Sequence, residues 1–119
     1  MQRELRLSKR RDFAAVQAQG RGWANRLLVL KVAPNGLDVC RFAFAVSKRV
    51  GKAVVRNLVK RRIREAIRRA PVKGGRDALF IARRDAASAS FWDIKIAVED
   101  LLRRGENLIQ ASKEEEDSG

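Results

Sequence analysis

The sequence has no histidine and no tyrosine, and only one cysteine and two prolines, in 119 residues. Without histidine, neither a Ser-His-Asp triad nor the ordinary zinc-binding patterns can be assembled, and a single thiol does not change that. Cys40 has no partner for an intramolecular disulfide. It lies in an apolar alternation, where a packed thiol is expected, and the chain offers no obvious base to activate it as a nucleophile. Long apolar runs are also missing. Nothing approaches the roughly 18 residues of a membrane-spanning helix and no secretory leader is visible, so a cytoplasmic setting and no membrane partner are expected. Acidic residues are few and scattered: Asp12, Asp38, Glu65, Asp77, Asp85, Asp93, Glu99, Asp100 and Glu106 do not gather in one segment. No catalytic group and no protein-bound metal or other cofactor is therefore predicted.

What the chain has instead is positive charge: 27 Lys and Arg against 14 Asp and Glu, a net +13. The last nine residues contribute a net −3, which leaves +16 on residues 1–110. Length and an apolar fraction of 45% predict one folded domain over residues 1–110, followed by an acidic, disordered tail at 111–119. A body so basic calls for a polyanionic partner, reached by electrostatically steered association.

Periodicity sketches the elements. LSKRRDFAAVQAQG predicts a helix over 9–19, capped by Ser8, with Phe13 and Val16 on one face and Gly20 as its stop. RLLVLKVA and VCRFAFAVS, separated by a turn at Pro34 to Gly36, predict two strands of an antiparallel hairpin. In the second, Val39, Arg41, Ala43 and Ala45 share one face and Cys40, Phe42, Phe44 and Val46 the other. Residues 52–70 predict a helix that buries Val55, Val59, Ile63, Ala66, Ile67 and Ala70, with Arg62 at the edge of the apolar arc and its head snorkelling outward. ALFIA at 78–82 reads as a central strand. The last helix opens on SFWD, where Ser90 and Asp93 have capping-box spacing; Phe91, Ile94, Val98, Leu101 and Leu102 form its stripe and Gly105 ends it. Trp23 and Trp92 are expected in the core or at its rim. The class is α+β, helices on a small sheet.

The segment RNLVKRRIREAIRR, residues 56–69, holds seven Lys or Arg and one acid. Like charges four apart on a helix repel by about 0.2–0.5 kcal/mol per pair, yet Arg56, Lys60, Arg64 and Arg68 form such a row. A merely solvated helix interleaves Glu with Lys, and this one does not. Arg outnumbers Lys, which suits forked hydrogen bonds to phosphate, and Asn57 within the charged arc adds a donor and acceptor for a base or a 2′-hydroxyl. A ribosomal or chaperone-like RNA binder shares the charge but not the particular spacing. A DNA-binding module is disfavoured because no zipper or helix-turn-helix partner accompanies the helix.

VSKRVGKAVVRNLVKRRIREAIR, residues 46–68, resembles the signature of the protein subunit of bacterial ribonuclease P, in which a lysine-rich strand end and a glycine lead into R-N-x-x-K-R-x-x-R. RLSKRRDFAAVQAQGR is similar to that family's first helix. The resemblance implies a single-domain two-layer sandwich of order α-β-β-β-α-β-α, with a small mixed sheet, a strand near Arg21 to Asn25 and an unusual left-handed βαβ crossover. It implies RNA contacts from Lys48, Arg49, Lys52, Arg56, Asn57, Lys60, Arg61, Arg64 and Arg68, and a cleft lined by Phe13, Val29 and Lys31 for the 5′ leader of precursor tRNA. The partners implied are the ribonuclease P RNA and precursor tRNA, with no obligate protein partner. Mg²⁺ would serve the RNA subunit, which performs the hydrolysis. Leu58 stands where many members carry Arg, and Gln17 and Lys31 where some carry aromatics, which shifts the leader cleft from stacking toward charge.

Overall fold

A computed structural model describes residues 5–6, 10–70 and 72–105; Ser8, the proposed cap, and the 111–119 tail lie outside the described residues. Strand β1 (Leu5–Arg6) precedes helix α1 (Arg10–Gln19), strands β2 (Arg21–Ala24), β3 (Leu28–Pro34) and β4 (Arg41–Ala45), helix α2 (Ala53–Arg68), strand β5 (Arg76–Ala82), a 3₁₀ turn (Arg84–Ser88) and helix α3 (Phe91–Arg104). From α1 onward this is the predicted α-β-β-β-α-β-α order, with the two-residue β1 added ahead of it.

The five strands lie in the order β1-β4-β5-β3-β2. β5 runs antiparallel to β3 and parallel to β4, so the sheet is mixed and β4-α2-β5 is a crossover between neighbouring parallel strands. This corrects the hairpin expected of β3 and β4. The strands that pair directly are β2 and β3, and β5 is inserted between β3 and β4. Burial explains the insertion. Ala78, Leu79 and Phe80 are closed off on both faces, which only a central strand allows; a β3–β4 hairpin would push β5 to an edge. The loop after β3 accordingly bonds to the chain entering β5: Asn35 N–H donates to the Gly75 carbonyl at 3.2 Å and Gly75 N–H to the Val39 carbonyl at 3.0 Å. A Cβ at Gly74 would collide with the Asp38 carbonyl, so only glycine fits where these segments touch.

The period-2 alternation divides the core. Leu28, Leu30, Val32, Phe42, Ala78, Phe80 and Ala82 face α2 and α3, with Phe80 opposite Phe44 on one side and Leu30 on the other. The opposite face, with Ala33, Ala43 and Leu79, is partly covered by α1 through Val16 and Phe13. α2 buries Val59, Ile63, Ala66 and Ile67, the centre of the predicted arc, with Lys52 and Arg69 as its caps. α3 has the full predicted capping box between Ser90 and Asp93, and buries Ile94, Ala97, Val98, Leu101 and Leu102. Trp23 packs half-buried on the core, but Trp92 is 62% exposed, outside the core-or-rim expectation, meeting Phe91 edge-on at 5.3 Å.

Candidate nucleic-acid interface

α2 divides its polar residues into three rows. The outermost ridge carries exposed Val54, Asn57, Arg61 and Arg68. On one flank Arg56, Lys60 and Arg64 are half-buried, and the Arg64 guanidinium lies 5.9 Å over the Phe44 ring of β4. Arg56 Nε is buried without a hydrogen-bond partner. The other flank turns to α3. There Arg62 Nη1 donates to the Ala89 carbonyl at 2.6 Å, and Arg69 lies 5.4 Å over Phe91. Arg62 therefore turns its head to the carbonyl that closes the 3₁₀ turn instead of snorkelling outward as expected.

At the N-terminal end the chain leaves β4 through a turn in which Val50 N–H bonds the Ser47 carbonyl at 3.0 Å and Arg49 N–H the Ser47 hydroxyl at 3.3 Å. The turn presents Lys48 and Arg49, both exposed, beside Lys52 at the helix cap. No acid occupies the first turn of α2, and Lys52 supplies no side-chain cap. Cations are thus gathered at the positive end of a helix dipole, which is unfavourable for the isolated protein and favourable for bound phosphate.

Ion pairs separate this region from the rest. Glu65 takes Arg68 at 3.4 Å and Arg69 at 3.3 Å. Across the molecule Lys95 pairs with Glu99 at 2.8 Å, Arg104 with Asp100 at 3.1 Å and Arg26 with Asp85 at 3.6 Å. Among the described residues, Lys48, Arg49, Lys52, Arg56, Lys60 and Arg61 have no such acid. The predicted contact residues are therefore brought together, but unequally: six of the eight cations, Lys48 to Arg61, have no acidic partner among the described residues, and Arg68 is already shared.

On the other sheet face, Phe13 is half-buried against Val16, Ala33, Ala43 and Leu79. Beyond α1 the floor continues as Val29, Ile81 and Ala45, paired across three strands and each half-buried. The Lys31 ammonium donates to the Gln17 carbonyl of α1 at 3.3 Å. Phe13 and Lys31 thus meet where α1 contacts the sheet, and Val29 lies on the same sheet face.

Two features escaped the sequence reading. Alternation places Phe44 on the face shared with Cys40, Phe42 and Val46, and does not show that it seats Arg64. The second is an ion cluster under α1. Arg41 Nε and Nη2 donate to Asp77 Oδ1 at 2.8 Å and Oδ2 at 2.7 Å, Asn35 donates to Asp77 Oδ1 at 2.9 Å, and Arg41 Nη1 reaches Asp12 Oδ2 at 3.4 Å. The hydrogen bond to Asp77 leads the effects that hold Arg41 more firmly protonated than usual. Burial, reinforced by Asp77, pushes the neighbouring Cys40 thiol up to about 12. Among the described residues no group of three or more His, Cys, Asp or Glu converges as a metal site, so these donors do not fit a Mg²⁺ ion, and no helix is long and apolar enough to cross a membrane.

Comparison with known proteins agrees with this geometry. The family model described as Ribonuclease P matches residues 1–106. The ribonuclease P protein component of Caldanaerobacter subterraneus is 41% identical over 83% of this chain and 87% of its own length, and that of Dehalococcoides mccartyi 38% over 95% and 94%. Among solved structures, the RNase P protein of Thermotoga maritima superposes with a TM-score of 0.77 at 33% identity, over 86% of this chain and 97% of that one. The Staphylococcus aureus RNase P protein gives 0.77 at 31%, over 86% and 95%. The chain belongs to the Ribonuclease P family, the protein components of the endoribonuclease that matures tRNA 5′ ends.

Proposed function

We propose that the chain binds the ribonuclease P RNA through Lys48, Arg49, Lys52, Arg56, Asn57, Lys60, Arg61, Arg64 and Arg68, and receives the 5′ leader of precursor tRNA in the groove bordered by Phe13, Val29 and Lys31. The observation that carries this reading is the set of six cations, Lys48 to Arg61, with no acidic partner among the described residues. Phosphates supply the missing charge, and the positive end of α2 adds to the attraction.

In this reading the protein performs no bond-breaking step. Mg²⁺-dependent hydrolysis of the phosphodiester belongs to the RNA subunit. The protein's side chains lower the repulsion between two polyanions that must approach one another, work otherwise left to free cations. Arg64, seated on Phe44, presents its guanidinium from a fixed position, while Arg61 and Asn57 on the open ridge can adapt. The groove beside α1 offers an apolar floor with one half-buried lysine at its border, enough to hold an extended single strand without reading its bases closely.

The test is reconstitution. Added to a bacterial ribonuclease P RNA, the protein should lower the Mg²⁺ concentration needed to cleave precursor tRNA, whereas the protein alone should not cut at the mature 5′ end. An unchanged Mg²⁺ requirement would refute the proposal.

A further inference from the structure

Among the described residues, the polar contacts that hold α1 to the sheet lie at its two ends. Near the C-terminal end, Lys31 Nζ donates to the Gln17 carbonyl at 3.3 Å. In the first turn, Asp12 Oδ2 accepts from Arg41 Nη1 at 3.4 Å. Between them the contact is apolar, Val16 and Phe13 on small or smooth residues, and such contact attracts without fixing direction. Arg41 is not free to follow the helix. Two of its nitrogens grip both oxygens of Asp77 at 2.8 and 2.7 Å. Asp77 is only 5% exposed, the one charged side chain buried among the described residues, and Asn35 holds it as well. One edge of the guanidinium is therefore anchored in the sheet, leaving Nη1 for α1.

We infer that Arg41 is a positioning residue for leader binding: anchored on Asp77, it pins the first turn of α1 through Asp12 and so fixes where the adjacent Phe13 stands over the groove. This rests on the reading of that groove as the leader site. Without the pin, α1 keeps its tether at Gln17 and the pairing of β1 with β4 ahead of it, but the turn that carries Phe13 loses its side-chain link to the sheet.

The sign of the effect makes the idea testable. Asp12 is an anion beside a surface assigned to RNA, and simple electrostatics holds that removing it tightens nucleic-acid binding. Positioning demands the opposite. In the reconstituted holoenzyme, Asp12→Ala should weaken binding of leader-bearing precursor tRNA by about two- to fivefold, the worth of a partly exposed ion pair. Binding of leaderless mature tRNA should not change, and Asp12→Glu, which can still reach Arg41, should restore the precursor affinity. Phe13→Ala is the companion variant. If it weakens precursor binding while Asp12→Ala leaves it equal or tighter, or weakens both RNAs alike, the positioning role is overturned and the leader groove stands. If neither variant moves the difference between the two RNAs, the groove assignment fails and the inference with it.

Discussion

The unequal pairing along α2 predicts an unequal salt response. Six cations, Lys48, Arg49, Lys52, Arg56, Lys60 and Arg61, lack acidic partners among the described residues. If each neutralises one phosphate of structured RNA, the slope of log K against log[salt] should be about −4 to −5.5, at roughly −0.7 to −0.9 per contact. Between 50 and 200 mM monovalent salt, such a slope means a loss of roughly 300- to 1,800-fold in affinity. Arg61→Ala should flatten the slope by one full step, and Lys60→Ala likewise. Arg68→Ala should remove less than half a step, because Glu65 at 3.4 Å already offsets that charge. Glu65→Gln frees both Arg68 and Arg69 and should steepen the slope by up to one step. Fluorescence anisotropy with the ribonuclease P RNA over a salt series, at fixed Mg²⁺, reads all four variants. Equal steps for Arg61 and Arg68, together with no response to Glu65→Gln, would show that the pairing seen in the free protein has no bearing on RNA binding.

Two further outcomes follow from the geometry. Lys52→Ser places a side-chain cap where none exists and removes a cation from the positive helix end, so stability should rise by about 1 kcal/mol and Tm by about 4–8 °C, while RNA affinity falls. A lowered Tm would contradict that account of the cap. Cys40, with its thiol pushed up to about 12 by burial, should react with a disulfide reagent at pH 8 only as fast as the chain unfolds. Because its folded pKa lies above the unfolded value of about 8.5, the corresponding stability is present below that pH and is lost as pH rises toward the folded value. Rapid labelling under native conditions, or a pH-independent melt between pH 8 and 10, would count against a sealed thiol.

The legible parts of this fold are those governed by short sequence separation. The arc that buries Val59, Ile63, Ala66 and Ile67, and the Ser90–Asp93 box, follow from spacings of three and four residues. The two faces of β4 follow from period two. Strand neighbours do not: alternation says which face Phe42 shares with Cys40, but not that β5 will come between β3 and β4. The same limit hid the ion cluster, since Arg41 is 29 residues from Asp12 and 36 from Asp77. Arg62 was misjudged for a related reason, its acceptor at Ala89 lying 27 residues away on a turn with no sequence signal of its own. On the cationic side the sequence is informative about identity and silent about strength. Spacing marks Arg56 to Arg68 as a set, and only the folded chain distinguishes Arg68, shared with Glu65, from Arg61, which is not.

Comparison of α2 with α3 bears on the proposed role of the cationic surface. α3 follows the rules of a stable helix throughout: a reciprocal capping box, an acid in its first turn, Arg103 and Arg104 in its last, and two ion pairs along its side. α2, packed beside it on the same sheet face, breaks those rules from its N-terminal end as far as Arg61. Its cap has no side-chain bond and its first turn no acid, and three cations crowd the positive end of its dipole, while its last turn is conventionally neutralised by Glu65. A general tolerance for charge would treat the two helices alike. Rules broken over one stretch of one helix and kept in its neighbour support the proposal that stability of the free protein was set against a bound partner there, and a chain of phosphates would relieve those violations together.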